Sequence, residues 1–434
     1  MPTEIVKDAV IYQINLRVFT KEGTFAAAEK FLPEVAATGA DWVYLCPFVE
    51  SDSDMDTSHW STRQRRSNCG NPRNPYRISD YFKIDAEYGD NESFRSFVSA
   101  AHKLNLKVMT DLVYMHAGPT FGRIHPDFVK KNADGTMKLN SYHFCEINFD
   151  SAELREHLWG NMEYFVREFD VDGFRCDVGG WVPLDYWVEG RRRCEAIKSP
   201  FMMLNENEIQ NRPADQDEAF DINYCQWWTS YSFPDIFRSG MPAIALEMAW
   251  KTANDARPGA VLMLGLEHHD TANDMYYSRV EAISSAKCEA AYVLCYTVNG
   301  VPFPYNGCEH CDTSRHSIFG NKGQFFIDRS KDATVRSTFL RRLAELHRTE
   351  SALRDGAMEW LENSATDFVC TYLRTATNGE RIFCAVNFGN EKVTVKCAAA
   401  SVFTGGEALL VRGASLKDGN ITLEANGFLA VKLK

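Results

Sequence analysis

Short apolar runs rich in β-branched and aromatic residues recur from Val10 to Phe303, separated by stretches with helical spacing. The runs predict strands at Val10–Ile14, Trp42–Cys46, Lys107–Val113, Gly173–Val178, Met202–Asn205, Asp221–Tyr224, Ala260–Leu266 and Val298–Phe303. Between them, NESFRSFVSAAHKLN (91–105) and SAELREHLWGNMEYFVREF (151–169) carry apolar residues at three-and-four spacing behind acidic first turns. Eight strands alternating with helices over about 350 residues predict an α/β fold of the (β/α)8 TIM barrel type. An open doubly wound sheet is the rival.

The pattern changes after Leu353. From Asp367 onward, FVCTYLR, RIFCAVNF, KVTVKC, ALLVRG and NGFLAVKLK alternate with turn pairs such as Asn378-Gly379 and Asp418-Gly419. Closely spaced strands with turn signals predict a small C-terminal antiparallel β-sandwich domain. The chain therefore divides into a barrel over 1–352 and a β domain over 353–434. Two long excursions interrupt the barrel, 49–74 after the second strand and 116–148 after the third. Loops of that length in a compact domain are usually functional, and on a barrel they shape the rim.

Composition narrows the classes. With 434 residues, 45% of them hydrophobic and 24% charged, the chain has material for a large core. A net charge of -12 repels polyanions, and Arg63–Arg66 and Arg191–Arg193 read as solvated faces, so no nucleic acid partner is expected. No apolar run is long enough for a membrane span, and no leader pattern opens the chain. Thirteen scattered cysteines, an odd number, read as reduced and mostly buried thiols, which points to the cytoplasm. The oligomeric state is left open.

Four acidic residues stand at or just past strand ends: Asp111 in KVMTDLVYMH, Asp177 in VDGFRCDVGG, Glu206 in MMLNENE and Asp270 in LGLEHHDT. A carboxylate rarely ends a buried strand without a compensating partner. On a barrel, these third, fourth, fifth and seventh strand ends open onto one mouth. One structural ion pair would account for one of them, but not for four.

In this setting the sequence resembles glycoside hydrolase family 13, the α-amylase family, along nearly its whole length. YQINLRVF resembles the first barrel strand, and NPYRISDYFKIDAEYG the segment before the third. DLVYMH, GFRCD, LNE and EHHD follow in the order of the family's four signature regions, and NGVPFPYNGCE resembles its eighth-strand signature. The resemblance implies that Asp177 is the nucleophile, Glu206 the general acid/base and Asp270 the third carboxylate, which holds substrate hydroxyls. It implies that Arg175 orients the nucleophile and keeps it ionised. His116 and His269 would bind hydroxyls, Tyr76 would stack on the sugar ring, and Asp111 would support the others. Trp181 is a candidate sugar platform.

The sequence also departs from the family pattern. Met115 stands where many members have an Asn that binds structural calcium, and a thioether is a poor ligand for that hard cation. Gly180 and Trp181 stand where many have Lys-His, and His268 replaces a frequent Asn. No cofactor is required by the chemistry. Glu208, two residues past Glu206, would face the same side of a strand and competes for the acid role. Cys308-x-x-Cys311, with His310 and His316, is a weak zinc or redox signal without a second CxxC. Trp187, Trp227 and Trp228 read as stacking platforms or core, and Trp60, in the first excursion, as a subsite candidate.

The expected activity is retaining hydrolysis of α-glucosidic bonds in malto- or isomalto-oligosaccharides through a covalent glycosyl-enzyme. Alternatives within the family are a transglycosidase, a glycoside phosphorylase or a disaccharide isomerase. A non-catalytic carbohydrate-binding or scaffold protein is the rival from another class.

Overall fold

The computed structural model describes residues 4–238, 240–272, 279–397, 406–417 and 420–434. Eight parallel strands pair in sequence order: β1 (Ile11–Ile14), β2 (Trp42–Leu45), β3 (Lys107–Leu112), β4 (Gly173–Cys176), β5 (Met202–Asn205), β6 (Ile222–Tyr224), β7 (Leu262–Leu264) and β8 (Val301–Pro302). The ring closes where Gln13 bridges Tyr305 and its backbone N–H donates to Pro304 O at 2.9 Å. Every one of the eight predicted runs becomes a strand, so the barrel prevails over the open sheet. The last is trimmed to Val301–Pro302, because 298–300 form the bend that leads out of helix Ser285–Thr297.

Alternation along each strand decides what faces inward. Ile11, Trp42, Met109, Met202, Leu204 and Met263 fill the barrel interior, while Tyr12, Val43, Val108, Phe174 and Met203 pack outward beneath the helices. The same period of two puts Gln13, Tyr44, Asp111 and Arg175 inside at the upper end. Register then sets Asp111 beside Arg175, and Arg175 beside Leu204, two residues before Glu206.

The two expected helices form at Asn91–Lys103 and Ala152–Phe169. Asp90 and Ser93 make a reciprocal capping box at the first, and Phe94, Phe97, Val98 and Ala101 form its buried face. Ser151 caps the second, which stops at Asp170 in the left-handed conformation. The first excursion is anchored by strand Val49–Ser51, paired with Ile78–Ile84, and carries helix Thr62–Arg66. The second is pinned at its base by His116–Ala117 paired with Cys145–Glu146.

Helix Ser351–Asp355 leads into the C-terminal antiparallel sheet: β9 (Ala357–Trp360), β10 (Val369–Thr375), β11 (Arg381–Asn387), β12 (Val393–Lys396), β13 (Gly406–Lys417) and β14 (Asn420–Leu433). The first half of β14 pairs with β12 and the second with β11, while β13 runs along its length with a bulge between Arg412 and Ala414. Gly413 there has a φ of +54°, which a side chain would disfavour. The sheet thus doubles over a core of Phe383, Ala385, Val395, Ile421, Leu423 and Leu429. Its other face packs on helix Ser285–Thr297, where Arg374 donates to Thr297 O at 2.7 Å. The turn at Asn378-Gly379 forms, with Gly379 at φ +87°; Asp418-Gly419 lies outside the described residues.

Candidate active site

One buried guanidinium organises the barrel mouth. Arg175 Nη1 donates to both oxygens of Asp111, at 2.8 and 3.0 Å, and to Asp177 Oδ1 at 2.8 Å. Glu206 Oε2 lies 2.7 Å from Arg175 Nη2, in ion-pair contact but outside good hydrogen-bond alignment. Arg175 Nε donates to the Tyr224 hydroxyl at 3.3 Å. Three carboxyl groups therefore share one cation, and Asp177 Oδ2 has no hydrogen-bond partner.

Burial, and then the neighbouring carboxylates, outweigh Arg175 and push Asp177 well above the usual carboxylate range, so Arg175 does not by itself keep this carboxyl ionised as the resemblance implied. Burial likewise raises Glu206, against the pull of Arg175. Two such groups around one guanidinium hold a proton to higher pH than ordinary carboxyls.

Asp270 sits across the mouth in a different field. Burial works against its charge, but His269 and Arg63 more than offset this and hold it below the ordinary range. Arg63 Nη1 donates to Asp270 Oδ1 at 2.7 Å, and Nη2 reaches the Asp270 carbonyl at 3.4 Å. Gln13 fixes His269 twice: its Oε1 accepts the backbone N–H at 3.1 Å, and its Nε2 donates to Nδ1 at 2.7 Å. That leaves the proton on Nε2, 2.8 Å from the Tyr76 hydroxyl, which in turn donates to Asp111 at 3.1 Å. Tyr44 donates to the same oxygen at 2.5 Å. Burial lowers His269 to about 3 and His116 to about 4, so both are neutral near pH 7. His116 gives its Nε2 proton to the Tyr76 carbonyl at 3.0 Å, and its Nδ1 is left without a partner.

Asp177, Glu206, Asp270, Tyr76, His116 and His269 all line one chamber of about 370 Å³, with Arg175 and Asp111 beneath it. The Tyr76 ring lies stacked on His269 at 5.3 Å. Trp181 is outside this group: it is 79% exposed and lines an adjoining outer cavity of about 510 Å³. Val178 lines both spaces. It has a left-handed backbone (φ 44°, ψ 38°), costly for a β-branched residue, and its N–H donates to Glu206 Oε2 at 2.9 Å. Gly180 lies against Asn207, whose side-chain amide would be 2.5 Å from an added Cβ and would have to move to admit one.

Glu208 turns away: it accepts from the Trp227 N–H at 3.0 Å and lines neither cavity. Trp60, 6% exposed, ties its indole N–H to the Asp54 carbonyl at 3.0 Å and is a loop anchor. Trp187 and Trp228 are core, and Trp227 is exposed. Arg63 and Gln13 were legible only in part. Gln13 is a polar residue in an otherwise apolar, fully buried strand, which marks it; Arg63 read as a solvated face, which the structure corrects.

Among the described residues, two groups could offer three donors to a cation: His268, His269 and Asp270, and Glu34, Glu309 and His310. In the first, His269 Nδ1 is committed to Gln13 and His268 Nε2 lies 2.9 Å from the Ser230 hydroxyl. In the second, His310 bonds the Lys331 carbonyl at 2.9 Å and Glu34 at 3.1 Å. His316 instead faces Asp312 and Tyr305, so the two histidines near Cys308 and Cys311 do not converge. All thirteen cysteines are free thiols, and only Cys69 and Cys311 are partly exposed. Met115 packs against the core and lines the outer cavity.

Residues 23–134 match the family model described as the catalytic domain of α-amylase. The chain is 28% identical to α-amylase MalA of Haloarcula japonica over 96% of its own length and 60% of the relative's. It is 25% identical to a cyclomaltodextrinase of Geobacillus thermopakistaniensis over 74% of its length and 58% of the relative's. The chain thus spans about 60% of the length of these curated relatives. Its fold superposes on the crystal structure of a maltogenic α-amylase, AmyB, from Thermotoga neapolitana with a TM-score of 0.81, 24% identity and 99% of each chain covered.

Proposed function

We propose that this chain is a member of glycoside hydrolase family 13, the α-amylase family, supported by the matched catalytic-domain segment and the relatives above, and that it is a retaining hydrolase of α-glucosidic bonds in malto- or isomalto-oligosaccharides. The observation that carries the reading is the shared guanidinium: Arg175 holds Asp177 and Glu206 together and leaves Asp177 Oδ2 unpartnered. Asp177 Oδ2 attacks the anomeric carbon while Glu206 gives its proton to the departing glycosidic oxygen. Water then loses a proton to Glu206, attacks the same carbon and releases Asp177. The raised proton affinity of the pair supplies the acid, and the surplus of carboxyl groups favours the cationic transition state. Asp270 Oδ2, His269 and the free His116 Nδ1 orient the sugar's hydroxyls.

The catalytic unit in this reading is 1–352, with 353–434 as its β domain. The proposed steps use only side chains of the protein and call for no cofactor. The net charge of -12 disfavours nucleic acid, and no helix among the described residues is long and apolar enough to cross a membrane. Thirteen free thiols favour a reducing compartment, the cytoplasm. Incubation with a 5-fluoroglucosyl fluoride, followed by peptide mass spectrometry, tests the reading: the sugar should be found on Asp177. Initial products of the β-anomer, or label on another residue, would overturn it.

A further inference from the structure

We propose that Arg63 stops the catalytic chamber at a single sugar, so that the enzyme removes terminal glucosyl residues and does not open cyclic glucans. The inference rests on the hydrolase reading above and adds which end of which substrate enters.

The chamber has two unlike sides. On one, Val178 donates to the proposed acid Glu206, and Val178, Ser141 and Tyr142 line both the chamber and the outer cavity of about 510 Å³. A general acid must stand beside the oxygen it protonates, so the leaving portion of the substrate lies on this side. The outer cavity receives it.

On the other side stands Arg63, bonded to the Asp270 carboxylate and carbonyl, with its guanidinium 6.0 Å from the Phe319 ring centre. Its backbone is braced. Ser61 caps helix Thr62–Arg66, and Gln64 donates to the carbonyls of Asn71 and Pro72 at 3.0 and 3.1 Å. Asn71 donates to the Gly320 carbonyl at 2.9 Å, and Asn321 donates to that of Cys69 at 3.1 Å. The excursion after β2 is therefore laced to the segment after β8 across the mouth; Ser61, Thr62, Ile318 and Phe319 of that seam also line the chamber, and Arg63 is the residue of it that bonds Asp270. An internal stretch of glucan would have to run through it, whereas a chain end would not. Arg63 also holds Asp270 Oδ1, leaving Oδ2 for the sugar's hydroxyls. It is thus a specificity-determining and positioning residue.

The test uses maltoheptaose, the same chain blocked by an acetal at its non-reducing end, and a cyclic maltodextrin. Each is given to the wild-type protein, to Arg63→Ala and to Phe319→Ala, which widens the seam while leaving the partner of Asp270. Wild type should release glucose as the first product from the free chain and act on the blocked and cyclic forms at least about 100-fold more slowly. The ratio of blocked to free rates should rise at least about tenfold in one or both variants, whatever the absolute rate. Maltose as the first wild-type product, or comparable wild-type rates on all three substrates, would overturn the inference and leave the hydrolase reading standing. An unmoved ratio in both variants would overturn the role of Arg63. No turnover of any α-glucan would remove the hydrolase reading, and this inference with it.

Discussion

Two buried arginines stand at the upper end of the barrel, each among carboxylates, and they serve opposite ends. Arg279 meets Glu267 at 2.7 Å and Asp312 at 2.6 Å. Both oxygens of each carboxylate are bonded: Glu267 Oε2 takes the Val280 N–H, Asp312 Oδ1 the N–H groups of Ser314 and Asp328, and Asp312 Oδ2 also Ser314 and His316. Although burial opposes its charge, His316 and Arg279 hold Asp312 far below the ordinary range. Arg175 has one more carboxyl group to balance, and Asp177 Oδ2 has no partner. Both oxygens of each carboxylate are therefore held in the Arg279 cluster, while in the Arg175 cluster the proposed nucleophile keeps one oxygen unbonded.

The sharpest way to break this contrast is to neutralise one carboxylate in each cluster. Asp177→Asn should lower kcat/KM on the order of 10⁴-fold or more while raising Tm, since it removes a repelled charge. Glu206→Gln should cost about 10²–10⁴-fold on oligosaccharides, and much less on a glucosyl fluoride, whose leaving group needs little protonation. Asp312→Ala should do the reverse: about 3–5 kcal/mol of stability lost in denaturant titration, with kcat of the folded fraction close to wild type. If Asp312→Ala lost activity without losing stability, the division between the clusters would fail.

Acid sharpens the comparison further. Asp177 is raised above 3.8 in the folded chain, so its ionisation weakens the fold as pH climbs through that value, and the Asn variant's advantage should grow from about pH 3 to about pH 7. Asp312 is depressed below 3.8, so its contribution is present above that value and fades in acid, and the Ala variant's deficit should shrink there. Melting curves across this range should show the two differences moving in opposite senses. The smallest effect is expected from chelation: dialysis against EDTA should leave the rate unchanged, because the proposed reaction draws only on side chains of the protein.

Much of this was open to reading beforehand, for identifiable reasons. The strands announced themselves because each is a short apolar run closed by a turn, and Asp111, Asp177, Glu206 and Asp270 because charge at such ends is costly. Glu206 and Glu208 have the same parity, so no strand pattern could separate them; they part only beyond the end of β5, where Glu206 lines the chamber and Glu208 accepts the Trp227 N–H. Glu267 could not be told from Glu206 in advance, since its partner Arg279 lies 12 residues on and Asp312 another 33. Arg63 was hidden for a similar reason: its contact with Asp270 spans 207 positions, and local pattern shows only a polar turn of helix. Trp181 was drawn into the site by its closeness in sequence to Asp177, yet a left-handed residue and two glycines turn the chain outward between them.

Gln13 has a double duty whose consequence is one of timing. Its main chain fastens the first strand to the segment after the last, and its side chain sets the tautomer of His269. During synthesis Gln13 leaves the ribosome almost 300 residues before Tyr305. Until that late segment arrives the opening strand has no neighbour on one edge, and the imidazole has no fixed proton. The geometry of the proposed site is therefore complete only once the late segment has joined the first strand and the ring has shut.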